Sequence, residues 1–232
     1  MTAAFKAKLR NLETCSLVNP DHPSSSLVHF MGTLGIDAFM LDCEQGSPSF
    51  ENVEDMARAA RLCGVSATVR IPSPEPWTIE RYMMRGIDGL VVPRLDSGAQ
   101  ARRVVDDMRY CVPKDFDQKA VIVQIESAAA VADLDAFLDI PEIDCFFIGV
   151  IDLAKSMGFA GNYADPAVLD ALDRTIQRIR ARKRSVGIMV KEHDIAAWRT
   201  KGVTMLYTHL NDFAAMGARQ WRQMAGVDGN KA

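Results

Sequence analysis

Short apolar runs alternate with amphipathic stretches along the whole chain. Runs rich in Val, Ile, Phe and Met predict strands at 13–19, 38–43, 66–71, 89–93, 120–126, 145–149, 185–190 and 203–208. Most lack a clean in–out alternation, which suits strands buried on both faces of a parallel sheet. Between them, apolar residues recur at helical spacing over 25–34, 50–62, 77–85, 99–110, 128–138, 166–180, 193–201 and 212–224. Ser24 to Ser26 offer caps for the first of these helices, and Asp165-Pro166 supplies an N-cap and a first-turn proline. In 50–62 an acid comes early and Arg58 and Arg61 come late, which suits the helix dipole. Eight strand–helix units in 232 residues leave 29 residues per unit. That spacing predicts an α/β protein with a compact (β/α)8 TIM barrel as one domain over 1–232, and a loose tail at about 225–232. A doubly wound open sheet is the competing architecture, but no Gly-rich phosphate loop follows the first strand.

Composition narrows the function classes. Apolar residues make up 48% and charged residues 25%, the balance of a globular protein. A net charge of −3 and a pI near 5.8 exclude the concentrated positive field of a nucleic-acid or anionic-membrane binder. No apolar run approaches the ~20 residues of a membrane span. The opening MTAAFKAKLRNLETC is a polar amphipathic stretch without an apolar signal-peptide core, so a cytoplasmic location is expected. Five cysteines, an odd number with no CxxC pair, predict reduced thiols rather than a disulfide framework or a zinc knuckle.

In a barrel, reacting groups project from the C-terminal ends of strands and the loops beyond them. The polar residues at those places are Asp42 to Gln45, Arg70, Arg94, Gln124 with Glu126, Asp152, Lys191 with Glu192, and His209. Glu126 and Asp152 close adjacent strands, and two carboxylates at one mouth call for a cation. Hard oxygen donors without clustered Cys or His suit Mg²⁺ or Mn²⁺, with Co²⁺ as a further candidate, better than zinc. Two protein ligands leave metal positions for water and for a chelating 2-oxo acid. Arg70 adds a fixed positive fork suited to a carboxylate or an enolate oxygen.

At these residues the chain resembles the HpcH/HpaI aldolase/citrate lyase family. The resemblance runs from about residue 9 to 226 and rests on GIDAFMLDCEQG, ATVRIP, RYMMRGIDGLVVPRLDSGAQA, VIVQIES and FFIGVIDLAKSMGFAGNYADPAV, in that order. It implies a (β/α)8 barrel assembled as dimers or trimers of dimers, with the last helix packing on a neighbouring subunit. It further implies a carbon–carbon lyase of aldolase type that works through a metal-stabilised pyruvate enolate. Carried over by residue, Glu126 and Asp152 hold the metal and Arg70 stabilises the enolate. Gln124 neighbours the pyruvate, and Gly149, Val150, Ile151 and Asp152 present backbone amides to its carboxylate. Asp42 and Glu44 orient these groups from behind.

The chain departs from the family pattern at two linked positions. Gln45 stands where the family has a histidine, and Met84 where it has the aspartate that partners that histidine. Gln cannot exchange a proton near neutral pH, but Gln45 can orient a water. His209 could replace the base or be a loop histidine bonded to backbone. His22, near the end of the first strand, is a further candidate. Arg94 reads as a mouth charge or an interface pair, Lys155 as a loop lysine, and Met83 and Met84 as core. The loop after the fourth helix is reduced to CVPKDFDQ. These changes leave two alternatives: an acyl-CoA lyase or citrate-forming condensation on the same barrel, and a non-catalytic 2-oxo-acid binder.

Overall fold

The computed structural model describes residues 3–227. Its strands are β1 (Cys15–Asn19), β2 (Ala38–Asp42), β3 (Ser66–Arg70), β4 (Gly89–Val92), β5 (Ala120–Ile125), β6 (Cys145–Ile148), β7 (Ser185–Met189) and β8 (Met205–His209). Its helices are α1 (Ala3–Arg10), α2 (Ser25–Gly32), α3 (Phe50–Leu62), α4 (Pro76–Met83), α5 (Gly98–Cys111), α6 (Ala128–Ala132), α7 (Leu134–Leu138), α8 (Val150–Ser156), α9 (Pro166–Ala181), α10 (Ile195–Thr200) and α11 (Leu210–Met224). The strands pair in parallel in chain order and close, β8 against β1, into the eight-stranded barrel of the (β/α)8 fold. Every predicted strand is present, trimmed by up to two residues at an end, with β8 also running one residue further, to His209.

Side chains alternate between two cores. Leu17, Met40, Ile122, Phe147 and Met205 fill the barrel interior. Phe39, Val69, Val123, Phe146 and Ile188 face outward into the layer beneath the helices. The continuous apolar runs reflect this burial on both faces: β2, β4, β5 and β6 have no exposed position. Helix starts are fixed by local chemistry. Ser24 and Ser127 cap α2 and α6, Ser49 and Ser97 form capping boxes for α3 and α5, and Asp165 caps α9 ahead of Pro166.

Four expectations need correction. The polar opening is a helix, α1, whose Phe5 and Leu9, one turn apart, enter the barrel core from its N-terminal end. The helix expected over 128–138 breaks at Asp133 into α6 and α7. The loop expected after the sixth strand is the short helix α8, so Lys155 is helical. Met83 is buried as expected, but Met84 is exposed at the end of α4. Of the tail expected at 225–232, residues 228–232 lie outside the described residues. No described helix is long and apolar enough to cross a membrane.

Candidate active site

Parallel register builds the C-terminal mouth. Asp42 stands opposite Arg70, and Asn19 opposite His209. Asp42 has the parity of Met40 and Ala38, so it points into the barrel, and Arg70 beside it does the same. Arg70 grips Asp42 with two prongs: Nε donates to Oδ1 at 2.9 Å and Nη2 to Oδ2 at 2.6 Å. Asp42 Oδ1 also accepts the Glu44 and Gln45 amides at 3.1 Å. Burial opposes its ionisation, but Arg70 and those amides hold its carboxyl below the usual range.

Glu44 lies between two guanidinium groups. Its Oε2 is 3.4 Å from Arg70 Nη1, and its Oε1 accepts from Arg94 Nε at 2.9 Å. Arg94 has a left-handed backbone, φ +60°. That turn aims its amide at Glu126, which accepts it on Oε1 at 2.6 Å. The Glu126 Oε2 accepts from Gln124 Nε2 at 2.7 Å. Gln124 Oε1 is buried without a hydrogen-bond partner among the described residues. Gly149 makes this packing feasible, because a Cβ there would stand 2.8 Å from the Glu126 Cβ and 2.9 Å from its Oε2. Asp152 lies in the first turn of α8 and pairs with Lys155 through Oδ1 at 2.9 Å. Val150 is buried in the same turn and Ile151 is partly exposed.

Glu44, Gln45, Arg94, Glu126 and Asp152 line one open cleft of about 300 Å³. The electrostatics there are unbalanced. Glu126 accepts only from neutral donors, and it has Glu44 and Asp152 as charged neighbours. Burial, with the repulsion of Glu44 and Asp152, pushes its carboxyl up to about 7 against the pull of the Arg94 amide. Among the described residues, no three His, Cys, Asp or Glu side chains converge as a metal cage. The oxygens on offer are the Glu126 and Asp152 carboxylates and the partnerless Gln124 amide oxygen. A hard divalent cation with open positions fits this donor set and would relieve the charge on Glu126.

A second cleft of about 280 Å³ adjoins the first through Gln45 and is lined by Asn19, Asp21, His22, Asp42 and His209. Here His209 Nδ1 meets Asp21 Oδ1 at 2.6 Å and Nε2 meets the Tyr207 hydroxyl at 3.1 Å. His22 Nε2 contacts Asn211 Oδ1 at 3.2 Å. His209 is therefore bonded to side chains and not to backbone. The structure thus brings Gln45, Asp42, Glu44, Arg70, Gln124, Glu126, Gly149 and Asp152 to one mouth. It does not bring Met84 there: α4 descends from the end of β3 to the start of β4, so Met84 lies at the opposite end of the barrel from Gln45.

Sequence reasoning missed three contributors. The Arg94 backbone depends on a left-handed turn, hinted at only by the preceding Pro93. Asp21 reaches His209, two residues along β8 from Tyr207, only when β8 closes on β1. The inward parity of Tyr207 was the available signal.

The model of the HpcH/HpaI aldolase/citrate lyase family matches residues 22–215. The 4-hydroxy-2-oxovalerate aldolase of Rhodococcus jostii is 32% identical over 186 residues, covering 70% of this chain and 71% of that protein. The hydroxypyruvate/pyruvate aldolase of Agrobacterium fabrum is 30% identical over 182 residues, covering 68% of each. Among solved structures, an HpcH/HpaI aldolase/citrate lyase family protein from Burkholderia cenocepacia superposes with a TM-score of 0.85 at 23% identity, covering 96% of this chain and 99% of that one. The chain belongs to the HpcH/HpaI aldolase/citrate lyase family.

Proposed function

We propose that this family member is a metal-dependent carbon–carbon lyase that makes and breaks bonds at the methyl carbon of pyruvate or a related 2-oxo acid. The observation that carries the reading is the buried, under-compensated Glu126 carboxylate beside Asp152 at the mouth that also holds Arg70. Glu126 and Asp152 would hold Mg²⁺ or Mn²⁺, which when bound supplies Lewis acidity toward the keto group. Arg70, fixed by Asp42, is the pre-organised donor for the oxygen that gains charge as the enolate forms. Glu44 and the Arg94 amide position Glu126 and Arg70 rather than react. Gln124 and the first-turn amides of Val150, Ile151 and Asp152 serve the substrate carboxylate, since those amides lack intrahelical acceptors. Gln45 orients water between the two clefts but takes no proton.

The geometry also favours a homo-oligomer. No residue of α11 is buried, and a groove of about 700 Å³ runs between α11, α10 and β8, lined by Val190, Ile195, Leu206, Phe213 and Met216. A last helix seated on a neighbouring subunit would fill such a groove. Light scattering is expected to give a dimer-based assembly, and a monomer would remove this part of the reading. The functional reading is tested by Glu126→Ala and Asp152→Ala. Each is expected to lose Mn²⁺ binding together with metal-dependent cleavage of a 4-hydroxy-2-oxo acid. Wild-type activity in both variants would refute it.

A further inference from the structure

With Gln45 unable to exchange protons and Met84 at the far end of the barrel, the acids of the first cleft are all engaged in the chemistry proposed above: Glu44 by Arg94, and Glu126 and Asp152 by the cation they would hold. The second cleft contains a further acid–base group. Four side chains from the junction of β1 and β8 form a continuous hydrogen-bond chain. The Asn211 amide donates to Asp21 Oδ2 at 2.8 Å, which fixes that carboxylate. Asp21 Oδ1 lies 2.6 Å from His209 Nδ1. A carboxylate accepts, so Nδ1 carries the proton and Nε2 is left as an acceptor. The Tyr207 hydroxyl is 3.1 Å from Nε2 and therefore donates to it. Asn19 Nδ2 donates to the same phenolic oxygen at 3.3 Å, and Asn19 Oδ1 in turn accepts the Asp21 amide at 2.9 Å. The ring of Tyr207 is held edge-on by Phe147 and by His209, with centroids 5.3 and 5.1 Å apart.

This chain ends in the barrel interior below the mouth. Tyr207 points into the barrel and lies within electrostatic reach of Arg70 and Asp42. It is almost wholly buried, which shields its hydroxyl from bulk water. Burial raises its phenol well above the usual tyrosine range, so it passes protons on without holding a negative charge. His209 is partly open to the cleft.

The geometry points to an Asp21–His209–Tyr207 relay that removes and returns the methyl proton of the bound 2-oxo acid, taking the place of the family's histidine–aspartate pair. This inference rests on the proposed enolate chemistry. The methyl C–H bond breaks and its electron pair forms the C2–C3 double bond, while the keto π pair moves onto the oxygen facing Arg70. The proton passes to the Tyr207 oxygen as the Tyr207 proton passes to His209 Nε2. Asp21 balances the imidazolium that results. Reversal returns the proton to C3, so no other reactant is consumed. Tyr207 meets the substrate; His209 and Asp21 act through it. The charged and titratable groups facing His209 are Asp21 from the loop after β1, Asp212 from α11, Asp42 across the cleft, and Arg70 beyond Tyr207, with His22 behind Asn211.

The test is deuterium exchange into the pyruvate methyl group with Mn²⁺ present, followed across pH in wild type, His209→Gln and Tyr207→Phe, with pyruvate affinity measured alongside. Each variant is expected to exchange about 100-fold more slowly, at unchanged pyruvate affinity, and His209→Gln is expected to lose the rise of rate with pH that wild type shows. Exchange within twofold of wild type in both variants, with the same pH profile, would overturn the relay while leaving the lyase reading intact. No exchange by wild type would remove both. Should His209→Gln fail to fold, Tyr207→Phe decides, together with ¹⁵N-histidine spectra of the wild-type protein. Those spectra are expected to show the neutral His209 ring as the Nδ1–H tautomer, and the Nε2–H tautomer instead would overturn the relay.

Discussion

At the N-terminal end of the barrel, Asp144 is buried between two cations: Lys6 Nζ at 3.2 Å and Arg10 Nε at 2.5 Å, both from α1. It also accepts the Val121 amide at 2.8 Å. At the C-terminal end, Glu126 is similarly buried but accepts only from an amide and a glutamine, with two further acids nearby. The same side-chain chemistry is thus completed at one end and left incomplete at the other. A buried carboxylate with its own cations serves folding. A buried carboxylate without them keeps a place for a cation that is not part of the chain. At the mouth, the left-handed backbone of Arg94 serves Glu126 directly, whereas α1 seats Asp144's partners in ordinary helical geometry.

Breaking the completed end has the largest expected effect on stability. Asp144→Ala leaves Lys6 buried without its carboxylate and should lower stability by about 3–5 kcal/mol, read as a fall in denaturation midpoint. Turnover per folded molecule should be unchanged.

The incomplete end responds with the opposite sign. Glu126 has its carboxyl raised from 4.5 to about 7, so the folded state holds a proton that the unfolded state releases. Its form of stability is complete below pH 4.5 and is lost as pH rises through about 7. Glu126→Gln should therefore stabilise the metal-free protein at pH 8 by up to about 3 kcal/mol, and do little at pH 4. Thermal melts at the two pH values check this, and an equal effect at both would contradict the origin assigned to the shift. By the same linkage, added Mn²⁺ should raise the wild-type melting temperature more at pH 8 than at pH 5.

Smaller changes sharpen the contrast. Gly149→Ala drives a methyl into Glu126 and should cost about 1–3 kcal/mol, with a larger loss of metal affinity than of stability. Arg94→Gly relieves the left-handed turn by about 1 kcal/mol but frees Glu44. Its stability should stay near wild type while turnover falls.

The legibility of the fold divides along similar lines. Strands buried on both faces announce themselves as unbroken apolar runs, and Ser49, Ser97 and Asp165 mark helix starts by their own side-chain bonds. Helix α1 was hidden because only Phe5 and Leu9 of its face are large and apolar, against a net-polar background. Helix α8 was hidden because seven residues give too little periodicity to distinguish a helix from a loop. At the mouth, Arg70 and Glu126 were visible as polar residues at the ends of apolar strands, and Asp152 as an acid shortly after one, in the first turn of α8. The relay was not, because Asp21 meets Tyr207 and His209 only across the β1–β8 seam, far away in sequence. Met84 shows the converse: a motif position implied a partner for Gln45, and the course of α4 separates them within the chain.

On the reading proposed above, the incomplete mouth forms a 2-oxo-acid enolate once a cation joins Glu126. The most direct test is proton NMR of pyruvate in D₂O with wild-type protein and Glu126→Gln, each with and without Mn²⁺ or Mg²⁺. The methyl signal is expected to disappear only for wild type with metal. Exchange without added metal in chelator-treated protein, undiminished exchange by Glu126→Gln, or none under any condition would contradict it.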